Sequence, residues 1–188
     1  MSMSLYPAGT FSGQYEVRGD RQSADYLALH EFGLAADGTA GRVNTKLAIF
    51  ALGVVHEQPE LPVVAGSLLT DEINRLAEQV KMTVQFTETL NVKASTVPGA
   101  GSGTWGEVLE ERRIARDNDL RNPIRVAQAN HIGRTVVQAN KAGLSSIVLP
   151  GLPALFDKDS RQFQTRNAWA WAGYTLLANP ASWILRQL

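Results

Sequence analysis

A histidine and an arginine lie about one helical turn apart in the segment 131–134, which reads His-Ile-Gly-Arg. A helix is predicted to begin here, so the His131 imidazole and the Arg134 guanidinium share one face of it. A guanidinium matches the shape of phosphate and carboxylate groups, and an imidazole exchanges protons near neutral pH. The pair predicts a site for an anionic group, with His131 as proton donor or acceptor. The alternative is that His131 caps or packs at a strand end and that Arg134 is a solvated helix charge.

A glycine-rich turn over residues 97–103 precedes a helix that is predicted to begin at Thr104. Thr104 and Glu107 fit the capping-box pattern, and free amides at a helix N-terminus bind anions. The turn is neither a P-loop, which needs a Lys-Ser/Thr pair, nor a dinucleotide fingerprint, which follows the first strand. A plain flexible turn is the alternative. The predicted anion contacts here are Gly101, Ser102, Gly103 and Thr104.

Polar residues also follow the other predicted strands. His30 and Glu31 follow the first strand, where a histidine tuned by a carboxylate can act as an acid or base. A structural hydrogen bond from His30 is the alternative. No metal site is predicted, because the three histidines lack ligand spacing. The remaining predicted ligand contacts are Gly33, Asp37, Thr39, Gly66, Ser67 and Asn130.

The elements that must position these residues alternate between short apolar runs and helical patterns, which is typical of βα units in a parallel sheet. Strands are predicted over residues 26–29, 61–65, 82–86, 124–129 and 146–149. Helices are predicted over residues 42–55, 70–80 with Thr70 as N-cap, 131–142, 162–178 and 181–187, besides the one that begins at Thr104. The carboxyl ends of parallel strands meet at one edge of a sheet, so the candidate residues are expected to converge there.

The fold class predicted from this order is α/β, a three-layer Rossmann-like fold with a mostly parallel sheet of about five strands and helices on both faces. Residues 1–20 are predicted to be an irregular arm, and residues 21–188 a single domain. A hydrophobic content of 44% and a charged content of 19% are typical of a globular chain.

The balance of 18 basic and 18 acidic residues provides no net charge to attract nucleic acid or an anionic membrane. The absence of cysteine excludes disulfides, thiolate nucleophiles and cysteine-based metal sites. Residues 1–20 lack a signal pattern, and no apolar run approaches the roughly 20 residues that span a bilayer. We therefore predict a cytoplasmic protein with no nucleic-acid partner and no membrane span.

Two further groups of side chains receive structural interpretations. Five arginines between positions 112 and 125 are interleaved with Glu110 and Glu111, which predicts a solvated helix face. Aromatic residues near the C-terminus predict core packing or a seam between two copies of the chain, so a homodimer is an expected assembly. These aromatic residues are Trp169, Trp171, Tyr174 and Trp183.

The motifs of residues 24–151 resemble, in order, those of the bacterial YdcF-like and SanA-like proteins, a domain family of unknown function. Its first loop carries Gly-Leu and Asp-Gly-Thr, as residues 33–34 and 37–39 do, and a glycine ends its second strand, as Gly66 does. Its fourth motif, His-x-x-Arg after a strand, matches residues 131–134. Its third motif, Ser-x-Asn-Thr-x-Glu-Asn, is matched only at Ser102 and Thr104. No N-terminal anchor like that of many relatives is expected, and Phe32 stands where a small residue is usual, so the chain resembles a divergent member.

The resemblance implies a Rossmann-like fold, a cleft at the strand ends, a link to cell-envelope biogenesis, and S-adenosylmethionine or a nucleotide as cofactor. The first functional hypothesis is a small phosphate-bearing or nucleoside-like ligand, held by the glycine loop and Arg134 while His131 exchanges a proton, in a transferase or hydrolase. The second is a non-catalytic ligand-binding or regulatory module. The missing Asn, Glu and Asn side chains of the third motif favour the second hypothesis.

Overall fold

The computed structural model describes residues 15–91 and 103–175, and two short 3-10 turns, Arg21–Ser23 and Phe163–Thr165, accompany its main elements. Its strands are β1 (Tyr26–Leu29), β2 (Val63–Gly66), β3 (Phe86–Leu90) and β4 (Pro123–Val126). Its helices are α1 (Gly41–Glu57), α2 (Ser67–Val80), α3 (Thr104–Asp117) and α4 (Ile132–Lys141). The four strands form one parallel sheet in the order β3-β2-β1-β4. No helix in these described ranges is long and apolar enough to cross a membrane.

Both faces of the sheet are covered, as the predicted fold class expects, and every residue of β1, β2 and β4 is buried. Side chains alternate between the two faces of a strand, so Leu27 and Leu29 of β1 pack with α1 and α2. Tyr26 and Ala28 point the other way and pack with α3. The predicted α/β fold with three layers is thus confirmed, with four strands in the sheet instead of about five.

The predicted fifth strand, residues 146–149, is reduced to isolated bridges. Ile147 pairs in parallel with Ile124 of β4, and Val148 pairs antiparallel with Arg18. The segment does lie beside β4, since the Ile147 amide donates to the Pro123 carbonyl at 2.9 Å. The next residue, Val148, instead exchanges backbone hydrogen bonds with Arg18, and Pro150 follows two residues later. The pairing with β4 therefore does not extend into a full strand.

The third predicted strand, residues 82–86, was placed four residues too early. Helix α2 ends at Val80, its C-cap Lys81 adopts a left-handed conformation, and the Met82 amide still bonds to the Ala77 carbonyl. Residues 82–85 therefore connect the helix to the sheet. The strand itself, Phe86–Leu90, is a half-polar edge strand whose apolar signal is weak.

Two predicted helix caps are wrong. Helix α2 begins at Ser67, directly after β2, so Thr70 lies inside it and is not its N-cap. Helix α3 does begin at Thr104, but its N-cap is Gly103 and no side chain caps it. The predicted capping box does not form because the Glu107 carboxylate turns to His30 instead.

The predicted helix over residues 162–178 is broken. Residues Phe163–Thr165 form a 3-10 turn, and residues 168–175 are helical. Phe163 is 66% exposed and does not join the core face that its spacing predicted. The predicted helix over residues 181–187 lies outside the described residues, as does most of the predicted arm.

The strand order places a crevice next to β1. The chain winds from β1 through β2 to β3 on one side and returns to β4 on the other, so the order reverses at β1. In open parallel sheets, ligands bind outside the carboxyl ends of the strands at this reversal.

Candidate functional site

A cleft of about 480 Å³ opens at this reversal point. Segments after β1 and β2, the first turns of α3 and α4, and part of residues 162–174 form its walls. The predicted site residues that line it are Glu31, Gly33, Ser67, Gly103, Thr104, His131 and Arg134. Lining residues that were not predicted for the site are Phe32, Leu34, Leu68, Glu107, Gln162, Gln164, Thr165, Trp171 and Tyr174. The predicted edge of the sheet therefore carries a cleft, but the prediction omitted one carboxylate and the aromatic wall of that cleft.

Glu31 is a largely buried carboxyl in the cleft wall. Burial, together with the nearby charge of Glu107, raises its pKa to about 7. Its Oε1 accepts a hydrogen bond from the Leu68 amide at 3.1 Å, in the first turn of α2. Glu31 therefore occupies the N-terminus of α2 and changes its charge near neutral pH.

Gly66 provides the space that Glu31 needs. A Cβ atom at Gly66 would overlap the Glu31 carboxyl oxygen, and Gly66 itself is absent from the cleft lining. This glycine was predicted to contact the ligand. The structure instead places it behind Glu31, and the neighbouring Ser67 at the cleft surface.

The loop after β1 is held by tertiary hydrogen bonds. The Asn44 side chain of α1 accepts from the Phe32 amide at 2.9 Å and donates to the Gly33 carbonyl at 2.9 Å. Gly33 has a φ of +80°, and a Cβ there would lie 2.7 Å from Thr165 Oγ1. Glycine at position 33 thus allows close approach of the segment that closes the cleft.

His30 lies behind the cleft, fully buried, and does not line it. Its Nδ1 lies 3.1 Å from Glu107 Oε2, and its Nε2 lies 2.7 Å from Arg125 Nη1 and 3.3 Å from Glu111 Oε2. Burial lowers the pKa of His30, but the hydrogen bonds to Glu107 and Glu111 outweigh burial, so its pKa is raised overall. Its carboxylate partners are therefore these two residues of α3, and not the adjacent Glu31 that the sequence suggested.

Arg125 and Glu111 form a buried ion pair beneath His30. Two guanidinium nitrogens bind the Glu111 carboxylate at 2.5 and 2.9 Å, and both side chains are fully buried. Burial raises the pKa of Glu111, but Arg125 and His30 outweigh burial and lower it to about 2. Tyr26 donates its hydroxyl to Glu111 Oε1 at 2.8 Å.

The prediction that these charged residues form a solvated helix face is thus wrong for three of them. Glu110 is 4% exposed, and Glu111 and Arg125 are fully buried. Charge runs usually mark solvated faces. Here Arg125 reaches the inner face of α3 from β4, so opposite charges are buried as partners.

His131 is a buried, neutral imidazole in the cleft wall. Burial and the nearby charges of Arg134 and His30 keep its pKa well below its usual value. Its Nε2 lies 3.4 Å from Thr104 Oγ1, and Phe32 and Trp171 contact its ring with centroids 5.7 and 5.2 Å away. His131 is therefore suited to hydrogen bonding with a ligand more than to carrying a positive charge.

Arg134 lies at the cleft with an aromatic neighbour. Its guanidinium carbon is 5.5 Å from the centroid of the Tyr174 ring, which is a cation–π distance. Its Nε is buried and has no hydrogen-bond partner among the described residues. An arginine stacked in this way keeps nitrogen donors for an anion.

Three predicted contacts take structural roles outside the cleft lining. The exposed Asp37 side chain accepts hydrogen bonds from the Thr39 amide and hydroxyl at 2.9 and 2.7 Å, forming a local turn. Asn130 is buried, and its carbonyl accepts from Trp171 Nε1 at 3.2 Å. Gly101 and Ser102 lie outside the described residues.

Within residues 15–91 and 103–175, no group of three His, Asp or Glu side chains is arranged to hold a metal ion. Comparison of the chain with models of known protein families, with curated proteins and with solved structures gives no match.

Proposed function

We propose that the chain is an enzyme that binds a small ligand with an anionic group and moves a proton between that ligand and a pair of carboxyl groups. The observation that carries this proposal is that Glu31 and Glu107 share one cleft in unlike surroundings. Glu107 accepts from an imidazole, whereas burial raises the pKa of Glu31 to about 7. Pairs of titratable groups with unlike surroundings are the usual basis for separate acid and base roles.

Arg134 is the proposed anion-binding residue, and the Gly103–Thr104 turn supports it. Helix α3 begins there without a side-chain cap, and Gly103 and Thr104 line the cleft. A phosphate-bearing or nucleoside-like ligand matches a cation, helix amides and an aromatic wall. His131 would hydrogen bond to this ligand as a neutral ring.

Three finer predictions from the sequence belong to this proposal. The resemblance to the YdcF-like and SanA-like proteins supports a hydrolase or transferase related to cell-envelope metabolism, with S-adenosylmethionine or a nucleotide as cofactor. A cytoplasmic location stays a prediction. Self-association is supported by two exposed aromatic residues, Phe163 and Trp169, which are 66% and 88% exposed.

The second candidate is a non-catalytic binding module that uses the same cleft. It is favoured by the position of Glu31, because a carboxyl of the protein already occupies the N-terminus of α2. That helix terminus is then not free to bind a ligand phosphate. Binding without turnover would distinguish the module from the enzyme.

The test is a thermal-shift screen with S-adenosylmethionine, nucleotides, sugar phosphates and inorganic phosphate. A ligand at 100 times its Kd stabilises the fold by about 2.7 kcal/mol. We expect Arg134→Met to abolish the shift, whereas Arg112→Met, on the exposed surface of α3, leaves it unchanged. Product formation that stops in Glu31→Gln and Glu107→Gln while binding persists supports the enzyme. If a hit binds Arg134→Met as tightly as the wild type, the site assignment is wrong.

A further inference from the structure

His30 connects the cleft to a charge network below it. It lies between two carboxylates that are four residues apart on one face of α3, with Glu107 on the Nδ1 side and Glu111 on the Nε2 side. His30 itself has no exposed surface, whereas the Glu107 side chain is 20% exposed and lines the cleft. A ligand can therefore reach Glu107 but not His30.

The contact with Arg125 determines which ring nitrogen carries the proton. A guanidinium only donates hydrogen bonds, so in the neutral ring the His30 Nε2, 2.7 Å from Arg125 Nη1, accepts. The proton of the neutral ring then lies on Nδ1, which donates to Glu107 Oε2 at 3.1 Å. A protonated ring can turn its Nε2–H toward Glu111 Oε2 at 3.3 Å and keep the same bond to Glu107.

Arg125 cannot easily turn away from this arrangement. Two guanidinium nitrogens of Arg125 donate to the Glu111 carboxylate, and Arg125 Nε donates to Ser146 Oγ at 3.0 Å. Tyr26 fixes Glu111 in turn through its hydroxyl. Buried groups with several hydrogen bonds each form a rigid support.

We propose that His30 is a positioning residue, which holds the Glu107 carboxylate toward the cleft as a proton acceptor through a bond from Nδ1–H that Arg125 enforces. This inference rests on the proposed role of Glu107 in proton transfer. In this proposal, the buried hydrogen-bond network around His30 orients the reactive Glu107 side chain. Histidine–carboxylate pairs of this kind orient reactive groups in many enzymes.

The first experiment is ¹⁵N NMR of the histidine rings in the wild-type protein across a pH series. We expect the His30 ring to keep its proton on Nδ1 at every pH, with any loss of a proton occurring at Nε2. A neutral His30 ring with its proton on Nε2 would overturn the proposal. This measurement needs no ligand, so it stands whether or not the screen finds one.

The second experiment measures the titration midpoint of Glu31 in two variants of His30. The titration is monitored by ¹³C NMR of the Glu31 side-chain carboxyl. The amide nitrogen of Asn occupies the place of Nδ1, so His30→Asn should keep the bond to Glu107. Both variants lose the nearby charge of His30, which lowers the pKa of Glu31, so His30→Asn sets the reference midpoint. His30→Leu has no donor, so Glu107 should move away from Glu31 and the midpoint should fall below that of His30→Asn. Glu107→Gln provides the reference for a full loss, about one pH unit or more.

Two outcomes of this comparison would overturn the proposal. Equal Glu31 midpoints in the two variants would mean that the position of Glu107 does not depend on a donor at position 30, and a higher midpoint in His30→Leu would mean that Glu107 moves toward Glu31 when the donor is lost. If His30→Leu does not fold, the ¹⁵N spectra of the wild-type protein still test which ring nitrogen of His30 carries the proton. A correct NMR pattern with no ligand and no turnover would refute the proposed function but not the positioning role.

Discussion

At the scale of single residues, the site depends on how each charge is partnered. Glu31, Glu107 and Glu111 are all glutamates near one histidine, yet their surroundings differ completely. Glu111 is paired with a guanidinium, and its pKa is lowered to about 2. Glu31 is buried beside another carboxylate, and its pKa is raised to about 7. Residue type alone could not separate these roles.

The first prediction concerns the pH dependence of stability that Glu31 causes. The folded protein holds a proton on Glu31 up to about pH 7, whereas the unfolded chain loses it near the usual value of 4.5. Within this window the folded state binds more protons, so the free energy of unfolding falls as pH rises, by up to about 3 kcal/mol. Glu31→Gln removes this dependence.

Urea unfolding of the wild type and Glu31→Gln at pH 5 and pH 8 measures the effect. The variant should gain stability relative to the wild type between the two pH values. Because the pKa of His30 is raised and that of His131 is lowered in the folded protein, both groups also contribute to the pH dependence, and only the difference between the two proteins is informative. Parallel stability curves would show that the Glu31 carboxyl is not buried as the structure has it.

The second prediction concerns the buried ion pair. Arg125→Met leaves Glu111 buried without its partner, which typically costs about 3–5 kcal/mol. The double variant Arg125→Met/Glu111→Leu removes both charges and should recover part of that loss, as measured by urea unfolding. Arg75→Met serves as the control, because the Arg75 side chain is 52% exposed in its pair with Glu72 and should matter much less. A single variant as stable as this control would contradict the buried pair.

At the scale of elements, the starts of α1, α3 and α4 were predicted to within one residue, whereas the start of α2 was not. Helix α1 and strand β1 lie where apolar spacing placed them, since both bury regular apolar faces. The start of α2 was missed because its first turn is bound by Glu31, which lies 37 residues from Leu68 along the chain. A cap supplied from a distant segment leaves no local sequence signal.

The third prediction tests this tertiary cap. Gly66→Ala places a methyl group against the Glu31 carboxyl, so Glu31 must leave the first turn of α2. We expect a loss of about 1–3 kcal/mol in unfolding free energy, typical of overpacking in a well-packed region. The φ of Gly66 is −66°, which alanine adopts freely, so backbone strain is not the cause.

Gly53→Ala is the matched control for this substitution. Gly53 lies within α1, and a Cβ there meets no atom within 4 Å. Alanine in a helix interior should therefore stabilise the protein by about 0.5–1 kcal/mol. Equal effects of the two alanines in thermal unfolding would contradict the close approach of Glu31 to Gly66.

At the scale of the whole molecule, an aromatic side chain near the end of the described residues is strongly exposed on the surface. Trp169 is 88% exposed, although tryptophan is usually well covered. Trp171, two residues later, is buried in the cleft wall. The helix that begins at residue 168 thus directs one aromatic residue inward and one outward.

The fourth prediction is that the chain self-associates and that Trp169→Ser shifts it toward the monomer. Sedimentation velocity over a range of concentrations measures the change. Val80→Ser, which alters another exposed apolar residue at the end of α2, should leave the assembly unchanged. A wild type that is monomeric at all concentrations would refute the predicted homodimer.

The class of the fold and the edge that carries the cleft could be predicted without the structure, because both follow from short-range periodicity. Short apolar runs indicate the strands, and apolar residues at helical spacing indicate the helices. Parallel strands bring their carboxyl ends together at one edge of the sheet. His131, Arg134 and Glu31 could be placed at that edge for this reason alone.

Only the tertiary structure decided which charges are buried and which face the ligand. His30 meets Glu107 across 77 positions of sequence and Arg125 across 95 positions. Burying a charge costs several kcal/mol unless an opposite charge is present, and that partner comes from a different element. Local patterns contain no information about such partners, so the support beneath Glu107 became visible only when the elements were packed together.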